Sequence, residues 1–177
     1  MTTPTILCER LTLVPYLAGH VTDEHVAWLN DPEVVKYSEQ RHKKHTLESQ
    51  HAYVNKMNHS EETKIWAILC STKPNSEGST IGTITAYIDQ HNKVAEVGIM
   101  IGDKASWGKG YGTEAFKAVC DWLAAKGMRK IEAGLMSSNL AMQKVCLNSG
   151  MVLEGEKADH FLLNGAPEDV LLFGRWP

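Results

Sequence analysis

Apolar and polar residues alternate over short runs in much of this chain and keep a three-to-four-residue rhythm elsewhere, which predicts mixed α/β structure. Cys8 to Val14 alternates, with Leu11 and Leu13 on one face, and reads as a first strand. His20 to Leu29 reads as a helix. Asn30-Asp31-Pro32-Glu33 then reads as a break and restart, with Asp31 as N-cap and Pro32 at the first helical position. The chain is polar and irregular from Ser38 to His45. Thr46 is placed to cap a further helix to about Met57, although its apolar face is weak.

A run of strands comes next: Ile65 to Cys70, Ile81 to Ile88 and Val94 to Ile101. Their connections are an exposed turn over Lys73 to Gly78 and a hairpin loop at Gln90-His91-Asn92. An antiparallel meander therefore leads into Trp107-Gly108-Lys109-Gly110-Tyr111-Gly112-Thr113-Glu114-Ala115. Beyond it, Ala115, Val119 and Leu123 stripe a helix that ends at Lys126-Gly127. Lys130 to Met136 reads as a strand parallel to Val94–Ile101, by the usual right-handed crossover. Asn139 to Ser149 reads as a helix closed by Gly150. Two last strands, about Val152 to Leu163 and Asp169 to Trp176, turn at Asn164-Gly165.

The 177 residues fit one domain over 1–177. The formal charge of −3 and the lack of a long basic run argue against nucleic-acid binding. The expectation is a cytoplasmic protein, a monomer or homodimer, with no membrane span and no secretion signal. Cys8, Cys70, Cys120 and Cys146 form no CxxC pair and read as reduced thiols in apolar surroundings. His42, His45 and His51 suit no common metal spacing, so no metal is expected.

Strand, glycine loop and helix together make an anion cradle, because glycine permits close approach and a helix N-terminus offers unpaired N–H groups. A Walker loop does not fit, since five residues, not four, separate Gly102 from Gly108 and Gly110 occupies the Ser/Thr place. A dinucleotide fingerprint is weak, since Thr113 stands where its third glycine belongs. A plain strand-to-helix turn stays open as the structural reading.

Lys109-Gly110-Tyr111-Gly112 resembles the end of the Q/R-x-x-G-x-G/A pyrophosphate loop of the GNAT family of N-acetyltransferases, with Trp107 in place of Gln or Arg. The longer segment resembles the RimJ/RimL-type branch of ribosomal-protein N-terminal acetyltransferases. Glu9 to Leu13, Trp28 to Val34, Glu96-Val97-Gly98 and Asn139 followed by Gly150-Met151 resemble the same family in the same order. That resemblance implies a largely antiparallel sheet of about six or seven strands, flanked by about four helices, with a parallel splayed pair at the coenzyme site. It implies acetyl-CoA as donor and a primary amine as acceptor, attacked directly in a ternary complex.

On that resemblance Ile99, Met100 and Ile101 pair with the pantetheine arm, and Trp107, Gly108, Lys109, Gly110, Tyr111, Gly112 and Thr113 cradle the pyrophosphate. Lys144 adds charge, and Asn139 caps its helix or bonds the pantetheine amide. Glu96 is the leading general base, with a plain solvent-facing carboxylate as the bland alternative. Glu39, His42, His45 and His91 are weaker candidates. Cys146 stands where many relatives carry an acidic Tyr, and Ser137 or Ser138 is a possible substitute, so the general acid is open. Trp28, the Tyr37–His45 loop with Glu39, Tyr87 and the last hairpin near His160 to Gly165 are expected to form the acceptor pocket. The acceptor stays open between a protein N-terminal amine and a small amine, such as a nucleotide amino sugar. A non-catalytic acyl-CoA sensor is the competing class.

Overall fold

The computed structural model describes residues 3–71 and 79–177. One sheet holds eight strands: β1 Ile6–Leu7, β2 Leu11–Pro15, β3 Thr63–Cys70, β4 Ser79–Asp89, β5 Val94–Ile101, β6 Lys130–Met136, β7 Val152–Leu163 and β8 Ala166–Arg175. Their spatial order is β1-β2-β3-β4-β5-β6-β8-β7. All neighbours are antiparallel except β5 and β6, which run parallel across the helical crossover. The helices are α1 Asp23–Asn30, α2 Leu47–Asn58, α3 Tyr111–Ala125 and α4 Leu140–Asn148.

The predicted mixed layout is present, with one strand more than expected. Ile6 and Leu7 fold back on Leu13 and Thr12, and Cys8 N–H donates to Leu11 O in the turn between them. Two residues are too few for an alternation to show. The turn expected over Lys73 to Gly78 lies outside the described residues. After α1 the chain does not restart as an α-helix. Asp31 accepts from Glu33 N–H at 2.9 Å, and its carbonyl accepts from Val35 N–H at 3.1 Å, closing a single turn. Apolar positions stop at Val35, so no stripe holds a longer helix on the sheet.

Two cores follow from the alternation. Ile84, Ala86, Ile88 and Val97 on one face meet Ala115, Phe116, Val119 and Leu123 of α3. The other face buries Tyr16, Ile65 and Ala67 with Val54 of α2. All four cysteines are free thiols, three of them buried and Cys8 half-buried. No helix among the described residues is long and apolar enough to cross a membrane.

The turn between β1 and β2 is fastened to the start of α3. Glu114 accepts from Arg10 N–H at 2.7 Å and from Arg10 Nε at 2.8 Å, and Arg10 Nη1 donates to Lys109 O at 2.9 Å. The guanidinium also lies 4.8 Å from the Tyr111 ring centre. Glu114 is mostly enclosed while Arg10 keeps 39% of its side chain exposed, so solvent discounts the ion pair. Glu114→Ala is expected to lower unfolding stability by about 1–2 kcal/mol, chiefly through the lost charge-assisted bonds. A urea titration that left the midpoint unmoved would show that the clamp contributes nothing.

Candidate active site

β5 and β6 pair only from Val94↔Lys130 to Glu96↔Glu132. β6 then stays with β8 as far as Met136↔Val170, while β5 stays with β4 as far as Ile101↔Gly82. The two central strands therefore part after Glu96 and leave a cleft.

Backbone groups in an antiparallel ladder alternate sides. Ile88 N–H donates to Glu62 O, so even-numbered residues of β4 face β3 and odd-numbered ones face β5. Within β5, Glu96, Gly98 and Met100 then bond to β4, and Val97, Ile99 and Ile101 present their backbones to the cleft. Gly102 N–H donating to Ile81 O continues the same parity. Ile99 and Ile101 thus turn their backbones away from β4. Met100 turns its backbone toward β4 and instead helps line a neighbouring cavity.

At the mouth of the cleft stands the glycine loop. Side chains cap α1, α2 and α4, through Thr22, Thr46 and Asn139, whereas α3 has Gly110 at its cap and no side-chain bond there. Gly108 and Gly110 take φ of +72° and +81°, which L side chains rarely adopt. The first bond back into the helix is Glu114 N–H to Gly110 O, so the amides of Gly112 and Thr113 point out of the N-terminus. Trp107 donates Nε1–H to Ile101 O at 2.8 Å and ties the loop to the end of β5. Lys109 in the loop is exposed, as is Lys144 on α4. Asn139 accepts from Met142 N–H at 3.1 Å, which makes it the cap of α4.

On the sheet face away from α3 lies a cavity of about 220 Å³. Thr83, Thr85 and Tyr87 of β4 and Gly98 and Met100 of β5 line it, facing Tyr16, His25, Tyr53 and Gln50. Among the described residues, no Asp, Glu, Lys or Arg does. Glu96 is directly opposite Tyr87 and shares this face, one pleat beyond Gly98 and at the point where β5 leaves β6. The residue is exposed, yet its carboxyl is raised above the ordinary Glu value, first by partial desolvation against the sheet and then by the neighbouring Glu132, with Lys157 pulling the other way.

Spacing alone does not single out His25. It is 5% exposed, its Nδ1 has no partner among the described residues, and burial lowers its pKa to about 4. The ring therefore stays neutral at physiological pH. Its position one turn before Trp28, on the buried stripe of α1, is the only signal the sequence offered. Burial also raises the phenols of Tyr16 and Tyr53, and Tyr53 bonds Tyr87.

The remaining sequence candidates disperse. Trp28 does not line the cavity; its ring lies against Gly102, where a Cβ would stand 2.2 Å away, so it backs the wall. Glu39 is occupied by Arg41 at 2.7 Å. The His45 ring is held by Gln50 at 2.9 Å and Gln40 O at 3.3 Å, and so is a structural residue. Cys146 is fully buried in the core beneath α4, with its thiol pushed up to about 12, so it is placed as a packing residue and not at the cleft. Ser138 is exposed, and its N–H donates to Glu168 at 2.7 Å.

The likeness to known proteins agrees with this geometry. "Probable N-acetyltransferase YjcK" of Bacillus subtilis (strain 168) is 34% identical over 97 residues, 53% of this chain and 53% of that protein. The matched part thus spans about half the length of that relative. Among solved structures, the ribosomal L7/L12 alpha-N-protein acetyltransferase RimL in complex with coenzyme A superposes with a TM-score of 0.85 at 20% identity, over 98% of both chains. Spermidine N-acetyltransferase from Vibrio cholerae, in complex with CoA and spermine, superposes at 0.81 and 20% identity, over 94% of this chain and 95% of that one. The acetyltransferase (GNAT) domain profile matches residues 10–152, so this chain belongs to the GNAT acetyltransferase family.

Proposed function

We propose that the protein transfers an acetyl group from acetyl-CoA to a primary amine. The observation that carries this reading is the forked pair β5/β6, with an uncapped helix N-terminus at its mouth and a raised carboxylate at its apex. Family membership and the coenzyme bound in structural neighbours support the donor. The pantetheine arm adds to β5 as a partial strand through Ile99 and Ile101, and the pyrophosphate accepts from the α3 amides.

Acetyl transfer asks little of the protein, because the thioester is already activated. An ammonium cannot attack, so a proton must leave first. Glu96 takes that proton, directly or through one water. The amine nitrogen then bonds to the carbonyl carbon, the carbon–sulfur bond breaks, the nitrogen releases its second proton to solvent, and the thiolate takes up a proton from solvent. The neutral cavity beside Glu96 favours the uncharged amine over the ammonium.

Three outcomes test this reading. Glu96→Gln should retain acetyl-CoA binding while turnover falls about 100-fold or more; undiminished turnover would remove Glu96 as base. Activity requires Glu96 ionised, so the acid limb of the pH–rate profile should lie above the ordinary Glu range. Glu132→Gln removes the like charge and should move that limb to lower pH; a limb that stays put would show that another group titrates. Gly110→Val should abolish acetyl-CoA binding in a calorimetric titration while the chain stays folded, because valine cannot hold φ near +81°. Retained binding would exclude the loop as the cradle.

A further inference from the structure

A second cavity of about 600 Å³ adjoins the first, and both include Leu29 in their walls. The turn from Ser38 to His42 separates them: Ser38 and Gln40 face the first, Arg41 and His42 the second. The β7–β8 turn from Leu162 to Gly165 closes the far side. Arg41 fixes this frame, donating to Ser38 O at 2.9 Å and to Leu162 O at 3.2 Å.

The charge of this groove departs from that of the whole chain, which is −3. Lys36, Arg41, Lys43 and Lys44 line it with His42, and among the described residues no carboxylate does. The nearby acids are committed elsewhere. Glu39 holds Arg41 and His42, and Asp31 and Glu33 hold Lys104 at 2.8 and 2.5 Å. Lys36 lies over the Tyr37 ring, and the Glu168 carboxyl is lowered chiefly by its bonds from Ser138 and Ser137, with Lys36 adding least. Lys43 and Lys44 have no ion-pair partner among the described residues. Several cations converging on one concave, partly apolar groove raise the local potential far more than single surface lysines do. Leu29, Val35 and Leu163 supply an apolar side.

Resting on the acetyl-transfer reading above, we propose that this groove receives the phosphate end of a phosphorylated small amine. The amino group reaches Glu96 through the neutral cavity, and the phosphate is held by Lys43, Lys44 and Lys36. The cations are concentrated within a few residues, which suits a compact, multiply charged group better than carboxylates spaced along a peptide. The same field disfavours a polyamine.

The test is calorimetric titration of inorganic pyrophosphate into protein saturated with coenzyme A, so that the glycine loop is already filled. Saturable binding is expected, weakened about tenfold or more in the double variant Lys43→Glu/Lys44→Glu, with coenzyme binding unchanged. Absence of binding, or binding indifferent to the double variant, would overturn the proposal. Displacement of pyrophosphate by tetraglutamate at equal concentration would also overturn it, in favour of an acidic peptide. Failure of the wild-type protein to bind coenzyme A would instead sink the acetyl-transfer reading. Pyrophosphate titrated into the protein alone, against the double variant, would still decide the groove.

Discussion

The parting of β5 from β6 is the constraint around which the rest of the molecule is arranged. A strand in the middle of a sheet must satisfy both rows of its backbone groups. β5 does so on one side along its whole length, and on the other only as far as Glu96. The exposed row, at Ile99 and Ile101, leaves open the hydrogen bonds that a neighbouring strand would make. α3 begins where this row ends. The Arg10–Glu114 clamp fixes that beginning, and Trp107 joins it to the strand. The cleft, the glycine loop at its mouth and Glu96 at its apex are all arranged around one fork.

Electrostatics divide the region into three zones. The α3 N-terminus is positive by its amides and dipole, without needing a lysine. The cavity beside Glu96 is polar but uncharged, because burial holds His25 neutral and the tyrosine phenols protonated. The groove beyond the 38–42 turn is cationic. On the proposed reading, coenzyme phosphates, a neutral nucleophile and an anionic tail would each meet one of these zones.

Much of this was legible in the chain because its signals are local. Asn164-Gly165 marked the last hairpin, with both residues at positive φ as such a turn requires. Thr46 and Asn139 marked two helix starts, and the alternating glycines marked a third. What stayed hidden depends on tertiary placement. A two-residue strand carries no period, and the single turn after Asp31 looks like a helix start until Lys104 is seen to hold its acids. Cys146 was tied to the reaction by its place after Asn139, yet α4 turns it into the core. His25 resembles any other polar residue of a short helix until Tyr16 and Trp28 enclose it.

The open edge of β5 is positioned for a coenzyme to complete the sheet. Amide hydrogen exchange along β5, read residue by residue with and without acetyl-CoA, tests it most directly. Ile99 and Ile101 should gain strong protection on binding, while Met100, already bonded to β4, should change little. Equal change at all three, or none at Ile99 and Ile101, would contradict the account.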